Sequence, residues 1–269
     1  MTRRVAVVQM ESAAGMPERN HRVIEERIRH VAAEGATLVT LPECAVNGYD
    51  IEWFRSGAPG AQPYPADYFD GLAALSAELG ITISLADLET AGDRIYDAAL
   101  IFEAGHLVSL HRKMILTERE IAGGLSPGER PAEPVALGGA DMVVAPMVCY
   151  EYAFPEIARD LAAFGTQLLS VSAAIRSGFE HLIPVRIRAR AQDNSCFVLI
   201  ANAVGNGFCG NSMIVEPDGT VVAQASVSGE ETIFADVDAQ NIDRISRDAA
   251  PSDEEHTRVS RVLRSRRGG

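Results

Sequence analysis

The sequence predicts an α/β fold of the four-layer α-β-β-α sandwich type, in which two sheets face each other and helices cover their outer sides. Three observations carry this expectation. Short apolar runs of strand length alternate with stretches of helical period, Gly-containing connections join paired strand patterns towards the end of each half, and the order of elements in the second half repeats that of the first.

The first step is a buried strand at residues 5–9, followed by a helix that Pro17 opens and Gly35 stops, with Val23, Ile24, Ile28 and Val31 recurring on one face. Residues 37–41 read as the next strand. Residues 67–79 form a second helix, with Leu72, Leu75 and Leu79 on one face and Gly80 at its end, and residues 81–85 a third strand. Residues 95–102 and 107–110 flank Glu103-Ala104-Gly105-His106 and read as a hairpin ending just before Lys113. Residues 114–134 carry charges, Gly123-Gly124 and three prolines without apolar periodicity, so they are expected to be a long, functional loop.

The second half reads as strand 142–145, helix 155–164, strand 167–171, helix 180–193 and strand 197–201. A hairpin of residues 212–215 and 220–223 turns at Pro217-Asp218-Gly219, and residues 231–237 are a last strand. One domain is therefore expected over residues 1–247, with 248–269 a polar, arginine-rich arm or frayed tail.

Composition narrows the function. Hydrophobic residues are 47% and charged residues 23% of 269, as in ordinary globular proteins. Acidic residues outnumber basic ones 37 to 24, for a net charge of −13, which disfavours polyanionic partners and so argues against nucleic acid or an anionic membrane. The apolar run at residues 5–8 is too short for a signal-peptide core or a membrane span, and a cytoplasmic protein is expected. Cys44, Cys149, Cys196 and Cys209 show no C-x-x-C spacing, so free thiols are expected rather than a zinc site or disulfides.

Cys149 follows an apolar strand and precedes a helix, at the carboxyl-terminal strand edge where open α/β folds place their sites. Alone, such a cysteine is more often packing than chemistry. Two other strand ends change that reading: Leu41-Pro42-Glu43, and Leu110-His111-Arg112-Lys113 before the long loop. Thiol-mediated amide hydrolysis needs a base for the thiol proton, which a carboxylate supplies, and a positive group at the developing oxyanion, which an ammonium supplies while depressing the thiol pKa. Cys44 is the weaker nucleophile, because neighbouring side chains on an extended chain point apart. Cys196 is expected in the core and Cys209 in an exposed loop.

The sequence resembles the nitrilase superfamily of carbon–nitrogen hydrolases over almost its whole length. The supporting segments are Leu41-Pro42-Glu43 with Gly48-Tyr49, Arg112-Lys113, Cys149-Tyr150-Glu151 with Phe154-Pro155-Glu156, the run from Arg188 to Asn194, and Gly210-Asn211-Ser212 before Pro217-Asp218-Gly219. The resemblance implies Glu43 as general base, Lys113 as oxyanion stabiliser and Cys149 as nucleophile, with the Tyr150 backbone N–H helping to hold the oxyanion. It implies a thioester course without metal or organic cofactor. Ser172, Ala173 and Ala174 are expected along the substrate pocket, which Tyr49, Tyr150 and Phe154 would help to shape. Many members carry a further glutamate six residues before a Pro-Gly pair. Here Ile121 stands at that spacing from Pro127, and a one-residue adjustment at Gly123-Gly124 would bring in Glu120, with Glu118 as the alternative.

Within the family the segments are most similar to amidases of the aliphatic ω-amidase kind, with a carbamoylase acting on N-carbamoyl amines or amino acids as the second reading. True nitrilases usually have Trp where Tyr150 stands. An N-acyltransferase relative would need membrane helices, and a silent binding relative would not need all three residues. The resemblance also implies a homodimer or higher homo-oligomer joined through the helices that follow the nucleophile, with Arg188, Arg190 and Asn194 either at that interface or supporting the nucleophile strand. The expected partner is a small amide or carbamoyl compound.

Overall fold

In the computed structural model, which describes residues 2–50, 67–139, 141–248 and 253–265, the first half of the chain runs β1 (Thr2–Gln9), α1 (Pro17–Ala33), β2 (Leu38–Thr40), α2 (Asp67–Leu79), β3 (Thr82–Ala91), β4 (Arg94–Glu103) and β5 (His106–Arg112). The connection to the second half contains α3 (Glu118–Ala122) and β6 (Val135–Leu137). The second half runs β7 (Met142–Val148), a 3-10 turn over Cys149–Ala153, α4 (Pro155–Ala163), β8 (Leu168–Ala173), α5 (Leu182–Asn194) and β9 (Phe197–Asn202). It continues through β10 (Val204–Gly205), β11 (Phe208–Cys209), β12 (Met213–Val215) and β13 (Val221–Gln224), and the chain ends in β14 (Glu231–Asp238), α6 (Ala239–Asp248) and α7 (Asp253–Ser265).

Two six-stranded sheets result, ordered β14-β1-β2-β3-β4-β5 and β13-β12-β9-β8-β7-β6. The internal repeat suggested by the sequence is literal. β1, β2 and β3 are parallel and continue antiparallel into β4 and β5; β7, β8 and β9 are parallel and continue antiparallel into β12 and β13. Each first strand also carries an antiparallel neighbour on its outer side, β14 on β1 and β6 on β7.

Strand alternation sorts the core into three layers. On β1, Ala6 and Val8 pack under α1 and α2, while Val5 and Val7 face the other sheet. On β9, Val198 and Ile200 pack under α4 and α5, while Phe197, Leu199 and Ala201 face inward. Helix α1 buries Ile24, Ile28 and Val31, spaced by four and three, against the first sheet. This is the four-layer α-β-β-α arrangement. Hydroxyls join the sheets where the layer is polar: Ser170 Oγ on β8 lies 2.8 Å from Thr40 Oγ1 on β2 and donates at 2.8 Å to Ser84 Oγ on β3.

Several elements differ from the sequence expectation. β3 extends to Ala91 and turns into β4 through Gly92, at φ +63°, because the polar residues Glu89 and Thr90 continue the ladder rather than end it. The expected loop at 114–134 contains α3, started by a capping box between Thr117 and Glu120. Cys209 is not exposed: it pairs with Val204 in the β10–β11 ribbon and is 1% accessible. Within the polar segment 248–269, expected as an arm or a frayed tail, residues 253–265 form α7. Of the two loops expected to shape the pocket, 44–66 and 114–134, residues 51–66 lie outside the described residues.

Gly128 ties the 114–134 segment to the end of β5. Its N–H donates to Lys113 O at 2.8 Å, and a Cβ added there would stand 2.1 Å from Arg112 O, against backbone that cannot move aside cheaply. Gly128→Ala is expected to cost about 1–3 kcal/mol of stability, read as a lowered melting temperature, and to lower catalytic turnover by displacing Lys113.

Candidate active site

The two halves bring their strand ends together at one edge, where Glu43 N–H donates to Ala173 O at 3.4 Å across the sheets. Glu43 stands in the turn after β2, and Asp87 on β3 fixes that turn. Its carboxylate accepts hydrogen bonds from the backbone N–H groups of Val46, Asn47 and Leu88 and from the Asn47 side chain. Burial pushes Asp87 up to about 6 despite these four donors, so it is ionised at neutral pH. Cys44 adopts φ +50° in the same turn and is buried, with its thiol pushed well up by desolvation and by Asp97, Asp87 and Glu43.

Lys113 follows β5 and is 1% accessible. Its Nζ donates to Glu43 Oε1 at 2.7 Å, Glu120 Oε1 at 2.6 Å and Asp97 Oδ2 at 3.3 Å. These three carboxyls each offer an oxygen within 4.8 Å of the others, a spacing that could hold a cation, and the bonded ammonium supplies that charge. Burial works against the lysine charge, but Glu43, Asp97, Cys149 and Glu120 outweigh it, and its pKa is held well above normal.

Glu120 reaches this cluster because α3 begins at Thr117. Its Oε2 accepts from Thr117 N–H at 2.6 Å and Thr117 Oγ1 at 3.0 Å, while its Oε1 accepts from Lys113 and from Tyr49 Oη at 2.6 Å. Burial would raise its pKa, yet Lys113, Tyr49 and Thr117 together hold it below the usual carboxylate range. Glu118, two residues earlier, is exposed. Tyr49 is itself pushed far up, by burial first and then by Glu43, and is a firm hydrogen-bond donor.

Cys149 sits where β7 breaks into the 3-10 turn, at φ +38°, a conformation that L residues adopt at a cost. The residue as a whole is half-buried, but its sulfur is desolvated, and the thiol pKa is raised well above normal by burial and by Glu43. Lys113 and the Ala174 backbone N–H, which hydrogen-bonds the sulfur, lower it without prevailing. The ammonium depresses the thiol as expected, but burial and Glu43 outweigh its pull. A neutral thiol needs a base at the moment of attack.

Of the other expected pocket residues, Ala174 contacts the nucleophile directly, Ala173 O holds the Glu43 turn, and Ser172 is buried on β8 opposite Val148. The Tyr150 side chain is 39% accessible and packs edge-on against Phe154 at 5.2 Å. A groove of about 630 Å³ opens on the other side of β5, lined by Tyr96, Val108, Leu110, Arg130 and Pro134, and none of the lysine–carboxyl–thiol cluster lines it.

Sequence reading missed two contributors. Asp97 lies in β4 and joins the cluster. Glu151 is buried, accepts from the N–H groups of Val148 and Met114 at 2.9 Å each, and shares both oxygens with His111 Nε2 at 3.0 Å, so it clamps the nucleophile turn to the residue after Lys113. Arg190 donates to Tyr152 O at 3.1 Å and Ala153 O at 3.2 Å, which gives it the supporting position, while Arg188 donates to Gly219 O and Asn194 to Arg190 O. The signals were legible in principle: Thr-x-x-Glu at 117–120 is a capping box, and Asp97 interrupts an apolar strand.

The chain is similar to known proteins over almost its whole length. A family model described as carbon-nitrogen hydrolase matches residues 4–247. A nitrilase of Pyrococcus abyssi is 30% identical over 240 residues, covering 87% of this chain and 89% of the relative, and an omega-amidase of Saccharomyces cerevisiae is 30% identical over 80% of this chain and 78% of its own. Among solved structures, the amidase from Nesterenkonia sp. AN1 superposes with a TM-score of 0.81 at 23% identity, over 92% of this chain and 96% of that one; in that structure the acetamide moiety of fluoroacetamide is covalently added at the active-site cysteine. At that identity the likeness shows the common fold.

Glu120→Gln keeps the Thr117 capping box, since glutamine also closes it, but removes the charge beside Lys113. The variant is expected to fold normally by circular dichroism while kcat/KM falls about 10²-fold.

Proposed function

Since the chain belongs to the carbon–nitrogen hydrolase family, we propose that it is a cysteine-dependent amidase that releases ammonia from a small aliphatic amide, in the manner of an ω-amidase. Relatives named omega-amidase and deaminated glutathione amidase, at 28–30% identity, support an amide as substrate.

The observation that carries the division of roles is the hydrogen-bond count on the two glutamates. A carboxylate has about four lone-pair sites. Lys113, Tyr49 and the two Thr117 donors fill those of Glu120, which leaves it nothing with which to take a proton. Glu43 accepts from Lys113 on Oε1, and its Oε2 has no donor. Glu43 is therefore the base and Glu120 the holder of Lys113.

In this reading Glu43 takes the Cys149 proton as the sulfur attacks the amide carbon, and the Lys113 ammonium with the Tyr150 N–H carries the oxyanion. The tetrahedral adduct collapses as the Glu43 proton passes to the amine, which leaves as ammonia. Glu43 then deprotonates a water, which attacks the thioester; the acid departs and the proton returns to sulfur. Tyr49 and residues 172–174 line the substrate. A carbamoyl substrate would follow the same steps with carbon dioxide as an additional product.

We place this chemistry in one domain over residues 1–247, with 248–269 as a polar arm or tail, in the cytoplasm, where its four unpaired thiols stay reduced. No described helix is long and apolar enough to cross a membrane. Phe164, Phe179 and Val185, on or next to α4 and α5, are 71%, 53% and 68% accessible, and supply the apolar surface for a homodimer through those helices.

Purified protein is expected to release ammonia from short aliphatic amides, and Cys149→Ala to abolish turnover with the fold intact. Intact-mass spectrometry with a panel of amides, nitriles and carbamoyl compounds should show an acyl adduct on the wild type alone. Undiminished hydrolysis by Cys149→Ala would remove the proposal, and carbon dioxide release would move it to the carbamoyl branch. Light scattering should return a dimer mass or a multiple of it, and Val185→Glu should reduce it to that of a monomer; a wild type that is monomeric at micromolar concentration counts against the interface.

A further inference from the structure

One ammonium faces three buried carboxyls in this site. If Glu43, Asp97 and Glu120 were all ionised beside Lys113, the cluster would hold two uncompensated negative charges out of contact with water, an arrangement that buried groups avoid by binding a proton. The geometry identifies which group takes it. Glu43 and Glu120 lie at 2.7 and 2.6 Å from Lys113 Nζ, whereas Asp97 lies at 3.3 Å and gains least from the ammonium. Glu120 is saturated with donors, but Asp97 Oδ1 and Glu43 Oε2 are both buried with no donor among the described residues. The two carboxyls each offer an oxygen within 4.8 Å of the other, and hydrogen bonding to Glu43 is among the causes that raise Asp97, so a single proton between them would satisfy both orphaned oxygens.

We propose that Asp97 is a neutral carboxylic acid that donates a hydrogen bond to Glu43, and that in this form it is a positioning residue for the base and for Lys113. It touches no reacting atom and its proton is not consumed. It acts through Glu43, by directing the ionised carboxylate with its open lone pairs towards the thiol, and through Lys113, by keeping the local charge at one excess negative rather than two. The anchorage is short, since the Asp97 backbone O accepts the Lys113 N–H at 2.8 Å. The charged and titratable groups that face Asp97 are Glu43 and Cys44 from the turn after β2, Lys113 from the end of β5 and Glu120 from α3. Its strand partner on β3 is the apolar Leu88, and the neighbouring Asp87 is engaged by the 46–47 turn. Burial and Glu43 hold the Asp97 carboxyl well above the ordinary carboxylate range, with Lys113 opposing, in agreement with the orphaned oxygens.

This inference deepens the proposed amidase mechanism and rests on it for the kinetic part of the test, but not for the spectroscopic part. An amide at position 97 is neutral and can donate the same hydrogen bond, so Asp97→Asn should keep kcat/KM within about tenfold of the wild type. Asp97→Ala removes the donor and should lower it on the order of 10²-fold. The acid limb of the kcat/KM pH profile should move to higher pH in Asp97→Ala, because the base loses a hydrogen bond that favours its ionised form, and stay in place in Asp97→Asn. If Asp97 were an anion, both variants would remove a negative neighbour and move the limb to lower pH. A limb that moves down in both, or an Asp97→Asn enzyme as impaired as Asp97→Ala, overturns the proposal.

Infrared difference spectra of protein carrying ¹³C-carboxyl aspartate provide the reading that does not depend on activity. At about pH 8 Asp87 is ionised, and wild type should show a protonated carboxylic acid band that is absent from Asp97→Asn. Absence of that band from the wild type, or its survival in Asp97→Asn, sinks the inference even if the protein is an efficient amidase. Its presence stands even if no amide is turned over.

Discussion

An ammonium group cannot be enclosed in protein without partners, and much of this site is arranged around that requirement at Lys113. Removing one partner from a buried ion pair typically costs about 3–5 kcal/mol, because the remaining charge has no water to turn to. Three carboxyls answer it here, each delivered by a different element: Glu43 by the turn after β2, Asp97 by the middle of β4 and Glu120 by the first turn of α3. Asp87 fixes the turn that carries Glu43, the Thr117 capping box fixes Glu120, and Gly128 presses the chain onto the lysine's own backbone. The nucleophile arrives from the other sheet, and Glu151 fastens it to Met114, directly beside the lysine in sequence.

The same enclosure sets the state of the thiol. Burial and the adjacent Glu43 hold Cys149 neutral against the pull of Lys113, so reactivity is not stored as a standing thiolate. A buried neutral thiol is a poor target for adventitious oxidants and alkylating agents, whose attack requires the thiolate. In the proposed mechanism the proton leaves as the sulfur attacks the electrophilic carbon.

Much of this was legible in the amino-acid sequence, for physical reasons. Glu43 and Cys149 each follow a strongly apolar strand, whose end is visible as a change from apolar to polar residues, and Lys113 closes a strand that its hairpin turn marks. The layer architecture followed from the alternation of strand-length and helix-length runs, and the repeat from their order. What escaped notice was of two kinds. The ribbon of β10 and β11 has two residues per strand, too few for any periodicity, and that is why Cys209 was expected in an exposed loop. Asp97 and Glu151 are polar residues in segments whose burial is decided by tertiary packing: β4 is covered on both faces, and the turn after Cys149 folds under β5, so local pattern assigns them no partner. Glu120 was separable from Glu118 only through the cap, which places the third residue of the helix inward and leaves the first in solvent.

The duplicated sheets divide the chemistry unequally. Equivalent strands in the two halves end in different residues: β2 leads to Glu43 where its counterpart β8 leads to Ala174, and β7 leads to Cys149 where its counterpart β1 leads to Met10. Glu43 and Lys113 belong to one half and Cys149 to the other. Neither half alone carries all three groups, so the proposed chemistry requires both halves to be packed together. Assembly of the sandwich is thus a safety interlock, which makes hydrolytic competence and completed folding the same event.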